Sequence, residues 1–260
     1  MTAATGAAEA VSWSEPAGLA PRGTLIVIPG RGEQPGLYER FGRRIAADAY
    51  RVHVVADPVV SQDVTTSQVT AFAAAPDLVR PLVLAGSDTG ALFAAGLVAS
   101  GQVADADALV LAGLPVPAEQ APGAGAGGSP DAAWEEELQD RSTCPTHRGR
   151  LAELLVRRGA LYDPVPDGWH EGADLAKVTP PVLGLHGADD QISPLSAVRA
   201  RYAAAPRAEL VSIAGSTHDA LNNATHRTAA ATVILFLERL RLGPDLAPIA
   251  VTETLEPGKL

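Results

Sequence analysis

Short, continuous apolar runs alternate with helix-forming segments along most of this sequence, and this alternation limits the fold more than any other feature. Strands are predicted at residues 24–28, 51–56, 81–85, 107–112, 182–186 and 208–213, with those at 24–28 and 81–85 buried. Helices are predicted between and after them at residues 37–49, 61–74, 89–100, 195–204 and 224–242. Strands that alternate with helices favour a parallel sheet wound by right-handed crossovers, so an α/β fold is expected.

The alternation is interrupted once, by a segment at about residues 114–170 that is rich in Pro and Gly near its start. Two short helices are predicted inside it, at residues 134–139 and 150–159. Because no strand is predicted there, we interpret the segment as an insertion that forms a small lid over the sheet. The remaining chain is predicted to be one domain at residues 1–242, followed by a loose C-terminal tail at residues 243–260.

Composition excludes several classes of function. The chain has 260 residues, 47% of them apolar, which is enough for a substantial core. A net charge of −10 argues against nucleic acid, because binding a phosphate backbone requires clustered Lys and Arg. The single cysteine, Cys144, cannot form an internal disulfide and favours a reducing compartment. No secretion leader and no apolar run of the ~20 residues that a membrane span needs is evident. We therefore expect a cytoplasmic protein without a membrane or nucleic-acid partner; the sequence does not predict its oligomeric state.

The most informative motif is Gly86-Ser87-Asp88-Thr89-Gly90, which stands between a predicted buried strand and a predicted helix. This context is typical of a nucleophile elbow, a sharp turn that exposes its central side chain above the sheet. The flanking glycines allow the backbone to turn tightly and to approach its neighbours closely. The central residue is Asp88, so the motif allows two interpretations: a reactive carboxylate or an ordinary helix N-cap.

Two further polar sites follow the last two predicted strands. Asp189 and Asp190 lie in the loop after the first of these strands, and His218 lies in the loop after the second. A carboxylate that orients a histidine is the third member of a catalytic triad, and histidine is the most frequent general acid or base. The order of elbow, acid and histidine along the chain therefore predicts a triad that includes Asp88.

Taken together, these motifs resemble the α/β-hydrolase superfamily, over about residues 10–242. The segment Pro29-Gly-Arg-Gly-Glu33-Gln-Pro-Gly-Leu-Tyr38 is similar to the H-G-x-G-E-H-x-x-R-Y segment of monoglyceride lipases and lysophospholipases. The resemblance implies a mostly parallel, eight-stranded sheet flanked by helices, with a small lid insertion.

The resemblance also implies an oxyanion hole, since in that family the segment forms half of one. The backbone N–H groups of Arg31 and Thr89 would be its two donors. Gly30, directly before Arg31, and Ser87, two residues before Thr89, are expected at the same oxyanion and substrate-binding site.

The resemblance implies that Asp190 is the triad acid, with Asp189 as the second choice, and that His218 is the base. Two residues depart from the family pattern: Pro29 replaces a histidine, and Asp88 replaces the nucleophilic serine. The second departure matters, because the lipase mechanism needs a hydroxyl that histidine makes nucleophilic. A carboxylate cannot follow that route.

An aspartate at the elbow leaves several functions open. The first is hydrolysis of a small-molecule ester, with Asp88 and His218 as an acid–base or nucleophile pair. Second is a lyase reaction that eliminates a carboxylate such as acetate from an acylated, tetronate-like intermediate of bacterial polyketide metabolism, in which Arg31 would hold an acidic group. Haloalkane dehalogenases and epoxide hydrolases use an elbow Asp as nucleophile, but they usually have Trp where Thr89 stands here. A non-catalytic binding protein is the fourth alternative. Fold-level analogy favours hydrolysis slightly over elimination.

No cofactor and no metal is predicted. The six histidines show no spacing typical of metal ligands, and no phosphate loop or dinucleotide fingerprint is present. The expected partner is a small, ester-like molecule.

Overall fold

The protein is described here from a computed structural model, which covers residues 8–120, 129–154, 157–243, 245–251 and 253. Within these ranges, seven strands form one sheet. The strands are β1 (Val11–Trp13), β2 (Gly23–Ile28), β3 (Tyr50–Val54), β4 (Leu82–Ser87), β5 (Ala108–Ala112), β6 (Val182–Gly187) and β7 (Ala208–Ile213).

The strands lie in the order β1-β3-β2-β4-β5-β6-β7. β1 pairs antiparallel with β3, and every other neighbouring pair is parallel. The expected mostly parallel α/β sheet is therefore confirmed, with seven strands instead of eight in the described part of the chain. The sequence did not predict β1, because a half-buried edge strand of 3 residues is too short to give a periodic signal.

The helices flank the sheet or lie in the insertion. They are α1 (Glu39–Ala47), α2 (Gln62–Ala73), α3 (Thr89–Ala99), α4 (Pro130–Arg141), α5 (Pro145–Glu153), α6 (Trp169–Gly172), α7 (Leu195–Ala203) and α8 (His226–Leu242). The prediction of a helix at residues 150–159 was wrong in its bounds. α5 begins earlier, at Pro145, because proline is favoured in the first turn of a helix.

Alternate side chains of each central strand pack on opposite faces of the sheet. In β2, Leu25 and Val27 face the core formed with α1 and α8, whereas Ile26 and Ile28 face the core formed with α2, α3 and α7. Because both faces of the sheet are covered here, consecutive residues of the strand are apolar. The two cores fix the sheet rigidly, and the loops at its carboxyl edge are positioned by it.

A single residue, Asp88, connects β4 to α3. Its backbone has φ 50° and ψ −126°, a conformation that persists in a non-glycine residue only when the surroundings enforce it. A Cβ atom on Gly86 would overlap the carbonyl of Gly90, and one on Gly90 would overlap the carbonyl of Ile28. Among the described residues Asp88 makes no side-chain cap to α3, so the N-cap interpretation is wrong and the turn has the shape of an elbow.

Replacement of Gly90 by alanine should destabilise the protein by about 1–3 kcal/mol, because the new methyl group would force β2 and α3 apart. Gly149→Ala in α5 is the matched control, since a Cβ there meets nothing within 4 Å and alanine is the better helix former. Urea denaturation of the two variants and the wild type measures the difference. Equal stability of Gly90→Ala and Gly149→Ala would contradict the steric argument.

Candidate active site

Three loops at the carboxyl edge of the sheet bring Asp88, Asp190 and His218 together. They follow β4, β6 and β7 respectively, and ligands of open α/β sheets bind at this edge. His218 Nε2 lies 3.2 Å from Asp88 Oδ1, and His218 Nδ1 lies 2.9 Å from Asp190 Oδ2. Each of the three residues is only 2% exposed. They form a buried row of hydrogen-bonded groups, which we call the Asp–His–Asp row.

Asp190, and not Asp189, is the carboxylate that contacts His218. Oδ1 of Asp190 accepts the backbone N–H groups of Ile192 at 2.8 Å and Ser193 at 2.9 Å. These bonds leave Oδ2 to face the imidazole. Asp189 is exposed to solvent. The loop after β6 thus selects one of two adjacent carboxylates by its own backbone hydrogen bonds.

Arg31 occupies both carboxylate oxygens of Asp88. Its backbone N–H donates to Oδ2 at 3.1 Å, its Nε donates to the same oxygen at 2.8 Å, and its Nη2 donates to Oδ1 at 2.7 Å. Through Nη1 the same guanidinium donates to the backbone carbonyl of Asp163, in the insertion. Because Arg31 is itself only 5% exposed, a buried bidentate ion pair closes the site.

The other residues expected at the oxyanion site have different contacts. Thr89 approaches the elbow carboxylate through its hydroxyl, 3.5 Å from Oδ2. The N–H of Gly30 donates to Glu33 at 3.1 Å and therefore points away from that carboxylate, although Gly30 packs against the elbow side chain. Ser87 is buried and interacts with the hydroxyl of Tyr38. Of the four expected residues, only Arg31 directs its backbone N–H at the elbow carboxylate.

Burial and neighbouring charges shift the pKa values of the Asp–His–Asp row in opposite directions. Burial disfavours ionised Asp88, but the Arg31 guanidinium and His218 outweigh it and hold the pKa of Asp88 well below its usual range. Burial would lower the pKa of His218, but Asp190 and Asp88 outweigh it and raise that pKa to about 10. Despite burial, His218 also lowers the pKa of Asp190. At neutral pH a protonated imidazole therefore lies between two carboxylates.

No family model and no curated relative matches the sequence, but solved structures resemble the chain closely in fold. A soluble variant of monoglyceride lipase from Saccharomyces cerevisiae superposes with a TM-score of 0.69 at 15% identity, over 89% of this chain and 91% of that chain. The esterase EaEST from Exiguobacterium antarcticum gives 0.64 at 17%, over 88% and 94%. The chain has the α/β-hydrolase fold.

A third α/β-hydrolase-fold neighbour is the thioesterase domain from the curacin biosynthetic pathway, with a TM-score of 0.59 at 18% identity over 88% of this chain and 94% of that chain. At such identities the likeness is one of fold. The expected α/β-hydrolase fold is therefore confirmed.

A buried ionic network attaches the insertion to the loop that carries Arg31. Arg141, the last residue of α4, is 1% exposed. Its guanidinium donates to Glu33 at 3.0 Å and to the carbonyl of Arg31 at 3.1 Å. It also donates to Glu137, one turn earlier in α4, at 2.9 Å. Sequence reasoning missed Arg141 and Glu137, because a charged pair within an insertion of unknown path carries no signal of its own.

The end of α4 is also attached to the histidine loop. The N–H of His218 donates to the carbonyl of Asp140 at 3.1 Å, and the N–H of Asp219 donates to the carbonyl of Arg141 at 2.8 Å. The same turn of helix thus contacts the loop of Arg31 and the loop of His218. It fixes the distance between them.

Two surface grooves lie apart from the row. One, of about 590 Å³, runs between α2 and α3 beside Trp169, and the other, of about 440 Å³, runs along α7 beside Arg201. Neither groove is lined by Asp88 or His218. The described ranges contain no group of three or more His, Cys, Asp or Glu side chains that could hold a metal ion. In the same ranges, no helix has the length and apolar character needed to cross a membrane.

The protonated state of His218 should make stability depend on pH. An imidazolium that gains two carboxylates on folding stabilises the fold fully below its unfolded pKa of about 6.5. This contribution declines as the pH rises towards the folded pKa of about 10. Above about pH 7, the free energy of unfolding should therefore fall by roughly 1 kcal/mol for each pH unit until about pH 10.

The window begins at pH 7 because the unfolded pKa of histidine is about 6.5. Glu33, whose pKa burial raises to about 7, still titrates at the start of the window, but it does so in the wild type and in the control alike. His218→Gln is the control, since it removes the titrating group and should flatten the profile between pH 7 and pH 10. Urea denaturation at a series of pH values measures both proteins. The same slope in both would show that His218 is not protonated in the folded state.

Proposed function

We propose that the protein hydrolyses an ester bond of a small molecule with Asp88 and His218. The observation that carries this proposal is the Asp–His–Asp row, in which the imidazole lies 2.9 Å from one carboxylate and 3.2 Å from the other. The structural neighbours reported above are named as a lipase, an esterase and a thioesterase. Their names favour an ester-type bond as the target.

In this mechanism Arg31 first releases Asp88. The freed carboxylate then acts as the base for a water molecule. The water gives a proton to Asp88 as its oxygen bonds to the acyl carbon. His218 gives its Nε2 proton to the alcohol oxygen as the old C–O bond breaks, and Asp88 then returns its proton to His218. One ester and one water become one acid and one alcohol, and Asp190 keeps the imidazole in place throughout.

The backbone N–H of Arg31 is the proposed oxyanion donor. It is directed at Oδ2 of Asp88, 3.1 Å away, so a substrate oxygen that replaced Oδ2 would meet a donor already in position. Such preorganised donors stabilise developing charge without reorganisation during the reaction. Thr89, whose hydroxyl is 3.5 Å from the same oxygen, is the proposed second contributor.

Elimination of a carboxylate is the second candidate, and the carboxylate at the elbow favours it specifically. Asp88 would remove a proton from carbon, the C–H electrons would form a carbon–carbon double bond, and the C–O bond would break. His218 would give its proton to the departing carboxylate. The elbow serine of the lipase pattern could not serve as this base, because a hydroxyl is far less basic than a carboxylate.

We further propose that the segment at residues 114–170 acts as the lid of this site. Two contacts that cross from the loop of Arg31 to this segment support the proposal. Arg31 donates to the carbonyl of Asp163, and Arg141 donates to Glu33 at 3.0 Å. Because both contacts involve the loop that closes over Asp88, a movement of the segment would alter access to the row.

Asp88→Asn and His218→Gln should each lower kcat/KM for 4-nitrophenyl acetate by at least about a hundredfold, since each removes one partner of the acid–base pair. Both side chains are buried, and the amides preserve their volume. The double variant should be little worse than either single one, because the two residues act as a unit.

The matched control is His147→Gln, since His147 is 3% exposed and pairs with Asp219 at 2.7 Å. It should retain activity within about twofold. A loss as large as that of His218→Gln would mean that any buried His–Asp pair is needed structurally. Full activity of Asp88→Asn would remove Asp88 from the reaction.

Reaction in water enriched in oxygen-18 separates the mechanisms, with products followed by mass spectrometry. Hydrolysis at the acyl carbon should place the label in the released carboxylate. Elimination should release an unlabelled carboxylate and a product with a new double bond. Attack of Asp88 on an alkyl carbon should label Asp88 itself in a single turnover, because water then cleaves the aspartyl ester at its carbonyl. An unlabelled carboxylate would contradict hydrolysis at the acyl carbon.

A further inference from the structure

The donors of Arg31 that face the reaction site are filled by a carboxylate of the protein itself. Nε and Nη2 each donate to a different oxygen of Asp88, at 2.8 and 2.7 Å. This is the forked geometry in which a guanidinium prefers to bind a carboxylate. The far side of the guanidinium is held through Nη1 by the carbonyl of Asp163. Arg31 therefore presents a formed carboxylate-binding surface at the elbow.

We propose that a carboxylate of the substrate binds to this surface and displaces Asp88 from Arg31. The inference rests on the proposed function and names the substrate class: a small ester that carries a carboxylate close to the ester bond. Arg31 is then the residue that determines specificity for an acid. It also keeps Asp88 unreactive until the acid arrives.

The charges around Arg31 support a ligand of this kind. Within the ranges that the structure describes, Asp88 is the sole carboxylate in an ion pair with Arg31. The carboxylate of Asp163, whose backbone carbonyl holds the guanidinium, pairs with Arg157 instead. If Asp88 left without a replacement, a buried cation would lose its counter-charge, which is strongly unfavourable. A ligand carboxylate restores that charge, and a neutral ester does not.

Displacement would also activate Asp88. Burial disfavours its ionised form, but Arg31 and His218 outweigh burial in the closed site and keep the pKa of Asp88 low. Loss of the cation and arrival of a second negative charge both favour protonation, so the released carboxylate is a stronger base. In the closed state Asp88 is bound to Arg31, and in the open state it is released. A ligand shifts the equilibrium between them by the difference in its affinity for the two states. An acidic ester binds the open state preferentially, whereas a neutral ester lacks this preference and should be turned over more slowly.

The test compares acids with their amides. The probes are acetoxyacetate, 3-acetoxypropanoate and 4-acetoxybutanoate, each beside its primary amide, which has nearly the same shape without the charge. For at least one of the three pairs, wild-type kcat/KM should be about tenfold or more higher for the acid, as expected from loss of a charge-assisted hydrogen bond. In Arg31→Met the ratio should fall to within about twofold.

The matched control is Arg239→Met, since Arg239 in α8 forms a bidentate pair with Glu209 at 2.8 and 2.7 Å. This variant should keep the wild-type ratio. Equal turnover of acid and amide by the wild type in all three pairs would overturn the inference and leave the proposed hydrolysis intact. The wild-type ratio decides the question even if Arg31→Met does not fold.

If the wild type turns over none of the probes, the proposed function fails for these esters, and binding decides the inference separately. The acids then serve as stable ligands, followed by the NMR shift of the His218 ring nitrogens. Binding of an acid but not of its amide by the wild type supports the carboxylate site if this binding is lost in Arg31→Met. Absence of binding in Arg31→Lys, in which the fork geometry is altered, supports it in the same way. Failure of all three acids to bind the wild type overturns it.

Discussion

Four charges are buried together at the carboxyl edge of the sheet, and the arrangement of the site follows from their balance. Asp88 and Asp190 contribute the negative charges, and Arg31 and protonated His218 contribute the positive ones. An unpaired charge in a protein interior is costly, so none of the four can be removed without stranding a partner. The ion pairs that set the protonation states therefore also hold together the four loops that supply these residues.

The aspartate at the elbow determines the electrostatics of the whole row. A histidine that faces a neutral hydroxyl has one carboxylate beside it, whereas His218 has two and stays protonated up to a pH of about 10. Such an imidazolium is suited to giving a proton, and the carboxylate of Asp88 is suited to accepting one once Arg31 has released it. Hydrolysis and elimination would use this same division. They differ in whether Asp88 takes its proton from water or from carbon, and in whether His218 gives its proton to an alcohol or to a departing carboxylate.

The sequence predicts those parts of the molecule that depend on local pattern. Four of the six predicted strands, β2, β4, β5 and β6, are buried along their whole length and are therefore rich in apolar residues, whereas β1 is too short to show a pattern. Asp88 could be placed because two glycines and a strand–helix boundary define an elbow. Whether Asp189 or Asp190 contacts His218 depends on the path of the loop after β6. The spacing of residues in the sequence does not determine that path. Arg31 was expected through its backbone N–H, but the reach of its guanidinium is set by tertiary packing, as is that of Arg141 in the insertion.

The elbow also has a consequence for how this scaffold changes over time. The backbone at Asp88 is held at φ 50° by close packing around Gly86 and Gly90, and the central side chain has no part in making the turn. An exchange between carboxylate and hydroxyl at this position therefore does not strain the turn itself, although loss of the carboxylate would leave Arg31 without its counter-charge. The side chain at the elbow can thus change by substitution at a single codon, while the two glycines remain under steric constraint. In such a fold the side chain at the elbow can change while the backbone turn that exposes it stays the same.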